Sequence, residues 1–351
     1  MKIAVLAGGL SPERDVSLTS GALIAKSLAS RGHSVALVDI YFDVDAEKTV
    51  FSTDADFSAA IDDSAPDLEK IAEKRSRLRA EAGVRDDRAS LLGSGVLDLC
   101  LKADVTYLAL HGGCGENGQI QAALDCLGIR YTGSSYDGCL LAMDKELTKL
   151  VFETEHILTP EWICVSPSPD AEEKILKEIG LPCVIKPCCC GSSVGVSLVR
   201  EKENLKKALE DASAYRCSVI AERLITGREF SVGVLEGKAL PPIEIIPKQG
   251  FYDYKNKYQS GMTLEICPAE LTPEQTARVS AQAEKVHRAL RLGSYSRSDF
   301  LLDSTNGEFY CLEANALPGM TPASLLPQEA AAAGIEYGEL CERIVLAALN
   351  K

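Results

Sequence analysis

The run Val184-Ile185-Lys186-Pro187 delivers a lysine at the end of a short apolar segment, and Gly191-Ser192-Ser193-Val194-Gly195 follows within a few residues. Glycines let backbone N–H groups approach an anion closely, and a lysine supplies charge to neutralise a nucleotide's phosphates. The Gly-Lys-Ser/Thr ending of a Walker A loop is missing. An ordinary β-turn would use the same glycines, so this segment alone divides almost evenly between turn and phosphate loop. Arg297-Ser298-Asp299 and Glu313-Ala314-Asn315 form a second constellation. The side-chain period of two in a strand puts Arg297 with Asp299, and Glu313 with Asn315, on one face. Two carboxylates and an amide carbonyl are hard oxygen donors of the kind Mg²⁺ takes, and Arg297 can hold a transferred phosphoryl oxygen. A salt-bridged surface ladder is the plainer alternative. Phe300, Leu301 and Leu312 favour the metal, because they mark core strands, where unpaired acids are costly to bury.

Two further loops are polar and glycine-rich. One runs Gly8-Gly9-Leu10-Ser11-Pro12-Glu13-Arg14-Asp15-Val16-Ser17, the other His111-Gly112-Gly113-Cys114-Gly115-Glu116-Asn117-Gly118. Helix capping alone would explain Ser11 and Asp15. Two such loops at the ends of adjacent strands describe a ligand site better than two caps.

These residues need elements to hold them. Residues 3–7 read as a buried strand, 16–30 as a helix stopped by Arg31-Gly32, 34–40 as a second strand and 104–110 as a third. Strand, helix, strand and later strand predict a parallel sheet with function at its carboxyl ends. Residues 41–90 carry Asp54, Asp56, Asp62 and Asp63 and then a mixed-charge helical stretch at 68–82, which reads as a surface insertion. Beyond Asp144 a helix, strands at 183–186, 196–199 and 219–222 and a helix at 203–212 predict an α+β domain. A mostly β stretch at 228–246, a polar aromatic loop at 249–262 and a helix at 273–290 follow. Strands at 295–302 and 308–312 are joined by the hairpin turn Asp303-Ser304-Thr305-Asn306-Gly307, and a last helix spans 337–350. The expected division is 1–143, 144–226 and 227–351.

The 351 residues exceed one compact core, and a hydrophobic fraction of 46% with 25% charged residues is ordinary for a folded chain. A net charge of -14 argues against nucleic acid or an anionic membrane as partner. Residues 3–7 are too short for a signal sequence, and no apolar stretch of about 18 residues follows, so a cytoplasmic protein is expected. Of the 13 cysteines, Cys100, Cys126, Cys164, Cys183 and Cys311 sit singly at apolar positions and read as buried free thiols. Cys188-Cys189-Cys190 lacks zinc-knuckle spacing, so no metal–thiolate site is expected from that run.

From Lys2 nearly to its end the sequence resembles the D-alanine:D-alanine ligases of the ATP-grasp superfamily. The resemblance rests on eight ordered blocks: residues 8–21 (GGLSPERDVSLTSG), 111–121 (HGGCGENGQIQ), 131–134 (YTGS), 143–145 (MDK), VIKP with GSSVGVS, 251–258 (FYDYKNKY), RSD, and 312–327 (LEANALPGMTPASLLP). It implies a three-domain ATP-grasp fold whose N-terminal domain is a parallel, Rossmann-like α/β unit. It also implies synthesis of D-alanyl-D-alanine for peptidoglycan through a D-alanyl phosphate, and a homodimer. By position, Lys145, Lys186 and Ser193 would contact ATP phosphates, Glu222 and Glu229 adenine and ribose, and Asp299, Glu313 and Asn315 two Mg²⁺ ions, with Mn²⁺ as a substitute. Glu13 would hold the first D-alanine's ammonium, and Ser192 and Tyr258 would orient each other. Ser324, with Leu325, Gly319 and His111 around it, would seat the second substrate's carboxylate. Arg297 would stabilise charge in both steps, aided by N–H groups near Gly319.

Plainer roles stand beside these: Glu13 can simply begin a helix, Tyr258 can snorkel from a loop, and Ser324 can cap one. The chain departs from the family at Asn117, where aspartate is frequent, at the Cys188–Cys190 run, and at Ser296 and Ser298 flanking Arg297. The alternatives are a ligase placing D-serine or D-lactate second, a silent ATP-binding homologue, and another ATP-grasp enzyme.

Overall fold

The computed structural model describes residues 1–57, 67–83, 90–166, 168–189, 191, 194–248 and 263–350. Ser192, Ser193, Tyr258, Cys190 and the expected loop at 249–262 lie outside the described residues. In chain order the elements begin with β1 (Lys2–Ala7), α1 (Arg14–Ser30), β2 (Ser34–Asp39), α2 (Leu68–Glu81), α3 (Val96–Leu101), β3 (Val105–Leu108), α4 (Gln119–Cys126), α5 (Tyr136–Met143) and α6 (Lys145–Thr154). Next come β4 (Trp162–Val165), α7 (Ala171–Glu178), β5 (Cys183–Pro187), β6 (Ser197–Val199), α8 (Leu205–Ser213), β7 (Val219–Arg223), β8 (Gly227–Leu235), β9 (Lys238–Ala239), β10 (Ile243–Pro247) and β11 (Thr263–Ile266). The chain closes with α9 (Pro273–Ala289), β12 (Tyr295–Asp303), β13 (Phe309–Asn315), α10 (Leu325–Ala332) and α11 (Tyr337–Leu349).

Packing divides the chain into two compact units, Met1–Cys139 with Leu292–Tyr295 and Ala316–Lys351, and Leu140–Arg291 with Ser296–Asn315. The first change of unit falls between Cys139 and Leu140, and the chain from Ala316 onward returns to the first unit.

The first unit is built on a parallel sheet in the order β2-β1-β3. Val5 stands opposite Leu37 on one side and Tyr107 on the other. β1 is apolar from Ile3 to Ala7 and fully buried there, as a central parallel strand covered on both faces must be. α1 crosses it closely at Gly21, where a Cβ would stand 2.6 Å from that of Ala7. The last helix, α11, packs on α1, and Glu342 accepts from Arg31 at 2.5 Å and meets His33 Nε2 at 3.0 Å.

The insertion is more firmly anchored than its charge suggests. Arg75 and Arg79 of α2 are buried. Arg79 Nη2 donates to Asp43 Oδ1 at 2.7 Å, and the Arg75 guanidinium lies 4.3 Å from the Tyr41 ring centroid.

The second unit carries an antiparallel sheet in the order β4-β7-β5-β6 and a larger one containing β11-β10-β8-β12-β13, with β9 paired to β8. α7 and α8 cover the first sheet, burying Ile175, Leu205, Ala208 and Ala212 with Cys183, Ile185, Val199 and Val219. The predicted hairpin forms between β12 and β13, with Gly307 at φ +71° and its N–H bonded to the carbonyl of Asp303 at 2.9 Å. Cys126, expected to be buried, is exposed, because α4 ends there and turns its last position outward.

Candidate active site

Within the first unit the two glycine-rich loops are fastened together at the ends of β1 and β3. Ser17 Oγ donates to the Ala109 carbonyl at 2.6 Å and accepts from Gly8 N–H at 2.8 Å. Ser11 Oγ donates to the His111 carbonyl at 2.7 Å. Ser11, expected as a possible cap, therefore ties one loop to the other. Glu13 stands at the N-cap of α1, and its side chain makes no capping hydrogen bond. Its carboxylate lies beside Gly112, where a Cβ would come within 2.8 Å of Glu13 Oε2 and φ is +67°. Only glycine combines that backbone with that approach.

Arg14 and Asp39 brace this edge from below. Arg14 pairs with the Asp39 carboxylate and donates to the Gly9 carbonyl at 2.6 Å. Asp39 ends an apolar strand and nothing in its sequence context marks it out.

His111 continues the same network. Its Nδ1 lies 3.2 Å from the Leu317 carbonyl and its Nε2 3.4 Å from Ser20 Oγ, which holds the segment leading to Gly319. Ser324 does stand at the N-cap of α10, but its side chain makes no capping hydrogen bond. Its Oγ accepts from Thr321 N–H at 3.1 Å and lies 2.8 Å from Thr321 Oγ1. A Cβ at Gly319 would approach Ser324 Oγ to 2.9 Å, and Leu325 is buried behind. The turn thus places a hydroxyl at the positive end of a helix, an arrangement suited to a carboxylate.

The second unit encloses a cavity of about 490 Å³. Val184, Ile245, Leu301 and Leu312 give it apolar walls, while Lys145, Lys186, Glu222, Glu229, Asp299 and Glu313 bring charge to it. Apolar walls beside clustered charge suit a flat base joined to phosphates. Lys186 leaves β5 and Glu222 leaves β7, the neighbouring strand of the sheet. Glu222 Oε2 meets Lys186 Nζ at 2.8 Å and Oε1 meets Lys149 Nζ at 2.7 Å. Sequence reasoning missed Lys149, which sits in an ordinary amphipathic helix. Burial pushes the Glu222 carboxyl up, but the two ammonium groups outweigh it and hold it below its usual range. Burial likewise presses the Lys149 ammonium below its usual value, against the pull of Glu222. Two cations around one carboxylate leave positive charge to spare.

β12 and β13 bring Arg297 opposite Asn315 and Asp299 opposite Glu313, through a register shift between Asp299 and Phe300 without which Asp299 would face Leu312. Arg297 grips Asp299 through two bonds of 2.9 Å, and Ser231 Oγ donates to Asp299 Oδ1 at 2.9 Å. Lys145 Nζ reaches Glu313 Oε2 at 3.5 Å. The Asn315 side-chain nitrogen is buried and has no hydrogen-bond partner among the described residues. Since an amide's O and N exchange by a flip, this leaves a polar atom available on the face shared with two carboxylates. Those donors fit a hard, oxygen-seeking cation.

Family models match most of the chain. A model of the D-ala D-ala ligase N-terminus matches residues 2–134, and one of the C-terminus matches residues 152–346. The chain belongs to the D-alanine–D-alanine ligase family. It is 40% identical to the D-alanine–D-alanine ligase of Pediococcus pentosaceus, with 99% of this chain and 97% of that protein aligned. It is 39% identical to that of an Anaeromyxobacter species, over 98% of this chain and 96% of the relative. Among solved structures, the Bacillus anthracis D-alanine–D-alanine ligase complexed with ATP superposes with a TM-score of 0.75 at 29% identity, covering 100% of this chain and 97% of the other. The family's ATP-grasp fold accounts for a parallel three-stranded sheet in the first unit and the two further sheets of the second.

Proposed function

We propose that this chain joins two molecules of D-alanine into D-alanyl-D-alanine, with ATP converted to ADP and phosphate. The observation that carries the reading is the cavity in which Lys145, Lys186, Asp299 and Glu313 stand around apolar walls. A carboxylate is unreactive toward an amine at neutral pH because its oxygen is a poor leaving group. The γ-phosphoryl group of ATP converts it to an acyl phosphate, which the amine of the second D-alanine then attacks.

Lys145 and Lys186 hold the ATP phosphates, and Glu229 is placed to meet the ribose. The resemblance assigns Glu222 to adenine or ribose, yet both its oxygens engage lysines, so its first effect is to fix Lys186. Asp299, Glu313 and Asn315 would hold two Mg²⁺ ions, with Mn²⁺ able to substitute, and these would supply Lewis-acid compensation of the phosphoryl charge. Arg297, held by Asp299, is placed to meet charge that develops in transfer. In the first unit Glu13 is placed to take an ammonium, and Ser324 with the start of α10 a carboxylate. Ser192, Ser193 and Tyr258 keep the roles of nucleotide and substrate loops. A homodimer and a cytoplasmic location accompany this reading; no helix among the described residues is long and apolar enough to cross a membrane.

The test is phosphate release from ATP and Mg²⁺ by purified protein given D-alanine, L-alanine, or D-alanine mixed with D-serine or D-lactate, with products identified by mass. D-Alanine alone should yield phosphate and D-alanyl-D-alanine, and Arg297→Ala should lower kcat by about 10²–10³-fold or more. Turnover only with a mixture would reassign the second site. ATP binding without turnover would make the chain a silent homologue, against the presence of Lys186, Arg297, Asp299, Glu313 and Asn315 together.

A further inference from the structure

Glu146, Cys164 and Cys188 each offer a ligand atom to one small volume, their carboxylate oxygen and two sulfurs all lying within 4.8 Å of one another. The two sulfurs are 3.9 Å apart. Sulfurs bound about 2.3 Å from a tetrahedral zinc ion stand about 3.8 Å from each other, so the pair already has the spacing of two zinc thiolates. We infer that this cluster is a binding site for a thiophilic divalent cation of the zinc class, separate from the magnesium-type donors of β12 and β13.

Backbone hydrogen bonds hold the three ligands in place. Cys164 lies in β4, opposite Ile220 of β7. Cys188 follows β5 and its N–H donates to the carbonyl of Ser218 at 2.9 Å. Glu146 is in the first turn of α6, and the preceding Lys145 N–H donates to the Cys188 carbonyl at 3.0 Å. A site assembled this way loses little chain freedom on binding. Cys188 is buried, while Cys164 and Glu146 are half-buried, which leaves a route for the ion and a fourth position for water.

The site was hidden in the sequence because the partners of Cys188 lie far from it along the chain. Adjacent cysteines converge poorly on one ion, but here the other ligands come from a helix and a neighbouring strand. A bound ion would tie α6, which carries Lys145, to the end of β5, which carries Lys186, and so brace both lysines of the nucleotide cavity.

The experiment uses metal-stripped full-length protein kept under a phosphine reductant, so that the exposed thiols stay reduced. Zn²⁺ affinity is measured by competition with a chromophoric chelator, and Co²⁺ is added to read thiolate-to-metal charge transfer in the near ultraviolet. One zinc per chain and a cobalt–thiolate band are expected. Cys164→Ser, Cys188→Ser and the near-isosteric Glu146→Gln should each weaken zinc binding by about tenfold or more, and the two serine variants should diminish the band. Cys126→Ser, at an exposed thiol in the other unit, should change neither. Absence of zinc binding, or binding and band unaltered in Cys164→Ser and Cys188→Ser proteins with native circular dichroism, overturns the site. Neither readout involves ligase turnover.

Discussion

Glu222 shows how much a single carboxylate can be asked to hold. Lys149 and Lys186 share it at 2.7 and 2.8 Å in a place where only 2% of the glutamate is exposed. Removing it as Glu222→Ala would strand two ammonium groups out of water. Loss of a buried partner typically costs about 3–5 kcal/mol, and urea denaturation of the variant should show a drop of that order. The consequence at Ser324 is different, because among the described residues its hydroxyl bonds within its own turn. Ser324→Ala should leave stability and the ATP KM nearly unchanged while raising the KM for D-alanine by about tenfold, the effect of one hydrogen bond to a charged group. Equal changes in both KM values would show that the turn itself had collapsed. Spacing in the sequence pointed to Lys186, Arg297, Asp299, Glu313 and Asn315. It gave no sign of Lys149 or Asp39, whose partners are set by neighbouring elements.

At the scale of elements, alternation and punctuation carried most of the reading. The hairpin between β12 and β13 was legible because Asn306-Gly307 interrupts two apolar runs, but the register shift between Asp299 and Phe300 that brings Asp299 to Glu313 was not. α9 was legible from its boundaries as well as its period. Thr272 Oγ1 accepts from Gln275 N–H at 3.2 Å and Gln275 Oε1 accepts from Thr272 N–H at 3.0 Å, with Pro273 at the first helical position. Thr272→Ala should destabilise the chain by about 1 kcal/mol, measured as a shift in the urea midpoint with unchanged slope. α2 is the contrary case. Its charges read as a solvated face, yet Arg75 and Arg79 turn inward onto Tyr41 and Asp43. Arg79→Ala should speed hydrogen exchange across residues 68–81 and leave exchange in β5 and β7 unaltered; uniform acceleration would contradict local anchoring.

For the whole molecule, the lowered carboxyl of Glu222 sets an acid limit. Its folded value lies below the ordinary 4.5, so the unfolded chain binds a proton more readily than the folded one. The stabilisation is fully present above that ordinary value and disappears as pH falls through the folded one. Wild-type stability should therefore decline below about pH 4.5, and the decline should be shallower in Glu222→Ala; an identical pH profile would show that other carboxylates control it.

The sequence by itself determined the apolar strands, the helix boundaries, the glycine-rich loops and the pairs two residues apart, because each depends on neighbours along the chain or on a local period. It also carried enough family-specific blocks to indicate the chemistry. Tertiary structure alone decided that Glu222 would fasten two lysines, that Asp39 would hold Arg14, and that the chain beyond Ala316 would rejoin the first unit. It also brought Cys188 to Cys164 and Glu146. Those outcomes depend on which strands become neighbours and which surfaces helices cover, and no local pattern encodes the partner of a buried charge or thiol many residues away.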